Sequence, residues 1–128
     1  MFYLFILGRI ILGGYFIMSG VNHFRHLKML AGYAESKKVP MASTAVWFTG
    51  LMMLLGGLGI LLGVWIEFSV LLLSVFLLVT TLMMHQYWTV SEPGAKMSEQ
   101  INFMKNMALL GAVLMLLAIP LPWAAALF

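Results

Sequence analysis

Four long apolar stretches fill this 128-residue chain almost end to end. A helix that crosses the hydrocarbon of a bilayer needs about 20 apolar residues. The stretches meet that length near residues 2–19, 42–62, 67–84 and 103–119. Only 9% of the residues are charged and 63% are hydrophobic, whereas soluble domains carry about 25% charged residues. So little charge cannot cover that much apolar surface in water, and lipid must be the solvent. The predicted fold is all-α: an integral membrane four-helix bundle, one domain over residues 1–128, with a short interfacial helix between the first and second spans.

An even number of crossings puts the first and third loops on one side, face B. His23, His26, His85, Asn22, Lys96, Asn102, Lys105 and Asn106 all fall in those loops or the helix ends beside them. The opposite side, face A, has only Glu67, a deep-set Arg9 and the termini. Lysine and arginine concentrate in cytoplasmic loops. Arg25, Lys28, Lys37, Lys38, Lys96 and Lys105 on face B therefore predict a cytoplasmic face B.

Several function classes drop out. The net charge of +3 comes with no basic face interleaved with aromatics outside the spans, so no nucleic-acid partner is expected. The cations read as topology signals and as anchors for acidic lipid head groups. The chain has no cysteine, which rules out thiol–disulfide chemistry, cysteine-ligated iron–sulfur clusters and thiolate zinc sites within it. Arg9 lies inside the first apolar run and no Ala-x-Ala follows, so that run reads as a permanent helix and not as a signal peptide.

Local patterns refine the frame. Phe24, Leu27, Leu30 and Ala31 recur at helical spacing among Arg25, Lys28 and Glu35, as in a helix lying on the membrane surface. Pro40 is expected to end that helix and open the second span. Gly50, Gly56, Gly57, Gly59 and Gly63 make the second span the natural centre of the bundle, because small residues let membrane helices approach closely. The short connection from Gly63 to Glu67 implies a tight antiparallel hairpin. In the third loop Pro93–Gly94 reads as a turn, and Ser98 as a cap before the fourth span. Trp47, Tyr87 and Trp88 at face B, with Tyr3, Trp65 and Trp123 at face A, suggest two interfacial aromatic belts. The twelve methionines read as adaptable packing.

The candidate chemistry lies in few residues. Charge within the hydrocarbon is rare and pairs or faces the interior. Arg9, about 12 Å below Met1 at 1.5 Å per residue, is expected to pair with Glu67 as a structural fastener or to act as a counter-charge for a ligand. His23 and His26, three residues apart, share a helix face, and His85 ends the third span on the same side. Imidazoles there are open to three readings: no chemistry, a quinone-like or proton site, or a metal or haem site. No HExxH motif or paired carboxylate accompanies them, so no metal site is assigned. Lys105 and Asn106 open the fourth span, where Lys105 either reaches lipid phosphate or meets a carbonyl or anionic ligand beside His85.

The segments GRIILGGYFIMSGVNHF, AGYAESKKVP, MHQYW and INFMKNMALLGA resemble the DoxX family of small bacterial four-helix membrane proteins. The resemblance rests on Arg9, Ser19–Gly20, Tyr33, Val39–Pro40, His85, Trp88 and Phe103–Lys105–Asn106 in order. It implies a multi-pass protein of the bacterial inner membrane. Some relatives are membrane subunits of a thiosulfate:quinone oxidoreductase, and others associate with redox or thiol-stress systems. Eukaryotic relatives of the broad group look like assembly or cargo-handling factors. Many members carry a glutamate inside the second helix, where this chain has Gly50. Relatives also tend to place positive charge near their termini, which implies cytoplasmic ends, the reverse of the loop-charge reading.

Two functions follow as expectations. The first is an accessory redox subunit that binds a quinone-like or other lipid-soluble ligand through His23, His85, Trp88, Lys105 and Asn106. Its electrons would come from a partner protein, since the chain has neither a flavin fingerprint nor cluster ligands. The second is a non-enzymatic factor that stabilises a partner membrane protein. A channel has less support, because four spans with so few polar residues cannot line a pore. Either main reading admits a homo-oligomer.

Overall fold

Paired glycines set the closest approach in the bundle. A computed structural model describes residues 1–126. Helix α1 (Phe2–Arg25) runs antiparallel to α3 (Ala42–Leu62), and the two nearly touch at two levels. A Cβ on Gly57 would sit 2.8 Å from the Gly13 carbonyl oxygen, and one on Gly20 would sit 2.8 Å from the Gly50 carbonyl oxygen. Each helix thus spaces its glycines seven residues apart and turns the same face to its neighbour, which is the small-residue packing of membrane helices.

Helix α4 (Ile66–Met84) packs on another side of α3. The Leu73 side chain fills the space over Gly56, and Ser69 lies against Gly59. Helix α2 (Leu27–Ser36) lies against α3 at the face-B end, and α5 (Pro93–Met115) runs along α4. The second span is therefore the central helix. Phe16 of α1, Ile60 of α3, Leu73 and Leu77 of α4 and Val113 of α5 are all fully buried in one core. A smaller cluster of Ala31, Ala34, Ala42 and Val46 joins α2 to α3. Four helices are long and apolar enough to cross a membrane, and no strand occurs among the described residues.

Several boundaries differ from those expected. Helix α1 continues six residues past Ser19 to Arg25, because Gly20 is held in the α1–α3 contact and nothing breaks the helix before His26. Helix α2 stops at Ser36, ahead of Pro40. Its end is closed by Lys37, Lys38 and Val39, whose N–H groups return to Ala34 and Glu35, with Lys38 left-handed at φ 63°. The residue before a proline is driven out of the helical region, so Val39 could not have continued the helix. Pro40 lies outside both helices, and α3 begins after a left-handed Met41.

The fourth span starts ten residues before the expected Phe103. Neither Ser98 nor a Pro93–Gly94 turn opens it. Glu92 is the cap, its carboxylate accepting the N–H groups of Gly94 and Ala95, and Pro93 takes the first helical position. A proline there forfeits only an N–H that has no partner in any helix. Leu116–Ala118 continue as one 3-10 turn. Of the aromatic belts, Trp47, Trp88, Tyr3 and Trp65 are exposed as expected. Trp123 is buried, at 3% exposure, because the tail after α5 folds back beneath the bundle.

Candidate functional site

The expected Arg9–Glu67 pair does not form. Glu67 is exposed. Arg9 is 5% exposed and donates to four backbone carbonyls, those of Ile60, Leu61, Ala124 and Ala125. Ile60 and Leu61 stand in the last turn of α3, where carbonyls have no helical partner and the helix dipole is negative. The rings of Phe5 and Trp123 flank the guanidinium, each centroid 5.7 Å away. With four of its five N–H donors engaged, Arg9 ties α1, α3 and the tail together. It is a fastener with a different partner.

The polar cluster at face B centres on Glu99, a residue the sequence reading passed over. The residue is 9% exposed. Oε1 accepts the Tyr33 hydroxyl at 2.7 Å and lies 3.6 Å from Lys37 Nζ. Oε2 is 2.8 Å from His85 Nδ1. Three elements thus meet at one carboxylate: α2 through Tyr33 and Lys37, the end of α4 through His85, and α5 through Glu99 itself. Buried carboxylates persist only where donors and cations surround them, and this one has both. Burial, the hydrogen bond to Glu99 and the carboxylate charge push the Tyr33 phenol up to about 12. It therefore remains a neutral donor throughout the physiological range. Because a carboxylate accepts from Nδ1–H, neutral His85 keeps a lone pair on Nε2.

Beside this cluster lies an apolar cavity of about 130 Å³. Helix α2 closes it from face B with Leu30, Tyr33 and Ala34; α3 adds Ala45, Val46 and Thr49; α4 adds Phe76, Val79, Thr80, Met83 and Met84. His23 completes the wall from α1. Its Nδ1 bonds the Ser19 carbonyl at 2.9 Å, and its ring meets Phe76 edge-on. Tyr33 is the link, since its ring lines the cavity while its hydroxyl binds Glu99.

The residues expected to form one site are dispersed. His23 lines the cavity and His85 joins the Glu99 cluster. His26 is exposed between α1 and α2. Trp88 is 53% exposed and stacks edge-on with Tyr87 and Phe103. Asn106 turns into the core at 8% exposure, whereas Lys105, its neighbour, is exposed. No group of three or more metal-ligating side chains forms among the described residues. Gly50 leaves no room for an acidic side chain in the second span, since a Cβ there would lie 2.7 Å from the His23 Cβ.

Glu99 was hidden by the misplaced start of the fourth span. Once α5 begins at Pro93, Glu99, Asn106 and Val113 fall on one face at seven-residue spacing, and all three are buried. That periodicity was the available signal. Lys37 was counted as a loop charge, and Tyr33 only as a residue that carries the resemblance.

Comparison with curated proteins and with solved structures finds no match. The DoxX family profile matches residues 4–86, from the start of α1 through α4 and His85. The profile thus takes in Tyr33, Lys37 and His85 and stops before the helix that brings Glu99. It spans well over half of the chain, and the protein belongs to the DoxX family.

Proposed function

We propose that this membrane protein is an accessory redox subunit that binds the head group of a quinone-like, lipid-soluble molecule in the face-B cavity. The observation that carries this reading is the position of Tyr33, which lines the cavity and hydrogen-bonds the Glu99 carboxylate outside it. An enclosed apolar space of about 150 Å³ accepts one benzene-sized ring. The face-B cavity holds about 130 Å³ and is half-open, so it suits a single ring and is small for the larger ligands that fill pockets of 300 Å³ and above. A membrane lies against every wall of the bundle, so a molecule dissolved in lipid has a short approach.

Such molecules exchange electrons together with protons. Tyr33, Glu99 and His85 form a continuous hydrogen-bonded chain from the cavity wall to the end of α4, suited to holding and passing a proton. Electrons are exchanged with a partner protein. The chain supplies binding and proton contacts, and the ring supplies the redox chemistry.

A photoreactive single-ring phenol analogue tests the reading in membranes. Saturable labelling should concentrate on peptides containing Thr49 and Met83–Met84, with excess unlabelled analogue removing most of it. Labelling spread evenly over the exposed side of α5, and unaffected by competitor, would defeat the proposal.

A further inference from the structure

The polar atoms that line the cavity are nearly all of one kind. His23 Nδ1 lies 2.9 Å from the Ser19 carbonyl. A carbonyl only accepts, so Nδ1 carries the proton, and in the neutral ring Nε2 has only a lone pair. The Thr49 hydroxyl donates to its own helix, at 2.8 Å to the Ala45 carbonyl and 3.1 Å to that of Val46. The Tyr33 hydroxyl donates to Glu99 at 2.7 Å. Each proton is committed inside the protein, so these three lining side chains keep only acceptor capacity for an occupant. Thr80 is the lining hydroxyl with no such bond to the chain, leaving one free donor against three acceptors.

Resting on the proposed ligand site, we infer that the cavity selects the hydroxyl-bearing, reduced form of its ring ligand, a phenol or quinol, over the oxidised form. A ring hydroxyl entering an apolar space must find an acceptor, and three of the lining side chains have that capacity to offer. A ring carbonyl needs donors and finds one. Sites built for a particular hydrogen bond reject the analogue that lacks it far more strongly than sites that differ by shape alone, because the unmatched groups stay buried and unpaired. The same inventory bars an ether, which matches the phenol in shape but has no proton to give.

Two fluorinated single-ring probes separate the alternatives. Binding of 4-fluorophenol and 4-fluoroanisole to the protein in nanodiscs is followed by fluorine NMR, with empty nanodiscs correcting for partition into lipid. The phenol is expected to bind at least tenfold more tightly than the methyl ether. The preference should shrink to within about threefold in His23→Phe combined with Thr49→Val. Thr49→Val alone, a nearly isosteric change, should give a partial loss and serves if the double variant folds poorly. Equal binding of the two probes, or tighter binding of the ether, overturns the inference and leaves the cavity as a general ring site. Binding of neither probe above the empty-nanodisc background removes the ligand site itself, and the inference with it.

Discussion

Replacing Gly57 by alanine is expected to lower stability by about 2 kcal/mol, a typical cost of forcing a methyl into a full core. That corresponds to a fall of roughly 5–10 °C in Tm for a domain of this size. On helix propensity alone the substitution should stabilise by about 1 kcal/mol. Packing decides the sign. The new methyl would meet the Gly13 carbonyl at 2.8 Å and the Ile17 amide nitrogen at 2.9 Å. Both are backbone atoms of α1, so relief requires the helices to move apart. Gly20→Ala meets the same obstacle at the other crossing, with the Gly50 carbonyl at 2.8 Å and the Leu54 amide nitrogen at 2.9 Å. Gly14 supplies the control, since nothing lies within 4 Å of a Cβ placed there. Gly14→Ala should hold or raise Tm. Thermal melts of the three variants in one detergent check this, and equal Tm values would refute the α1–α3 packing.

Arg9→Met should cost more, about 3 kcal/mol, at the upper end of what one lost set of buried hydrogen bonds produces. Methionine keeps the unbranched apolar stem but gives no donor. The Ile60 and Leu61 carbonyls at the end of α3, and those of Ala124 and Ala125 in the tail, then lose their partner together. The tail should detach and expose Trp123, which now packs against Phe5 at 5.2 Å between centroids. Arg9→Lys should recover little of the loss, because an ammonium cannot reproduce the planar fork that reaches two segments at once. Glu67→Gln should leave Tm unchanged, as no contact joins it to Arg9. Trp123 fluorescence and proteolysis of the tail provide the readouts. A tail that stays docked in Arg9→Met would show that the carbonyl network does not hold it.

Hydropathy carried the fold because the bilayer imposes so strong a constraint. Span length, apolar content and the glycines of α3 were enough to locate four helices and identify the central one. Polar helix starts were harder to read. Pro93–Gly94 has the composition of a turn, and only the Glu92 carboxylate accepting two N–H groups makes it a helix start. That local error concealed Glu99 and with it the join between α2, α4 and α5. The partners of Arg9 were hidden for another reason. Backbone carbonyls leave no trace in a residue pattern, so the nearest acid, Glu67, was the natural expectation. His23 and His85 were both singled out by residue type. Their division between the cavity wall and the Glu99 cluster depends on how α2 lies across the face-B end, which only the folded chain shows.

The natural content of the ring-sized face-B cavity is the most direct test of the proposed ligand site. Protein extracted gently from its native membrane would be analysed by mass spectrometry for lipid-soluble ring compounds, beside an Ala45→Phe variant that fills the cavity. Close to one such molecule per chain is expected in the unaltered protein and its loss in the variant, with Tm little changed. The same background amount in both would contradict the proposed site.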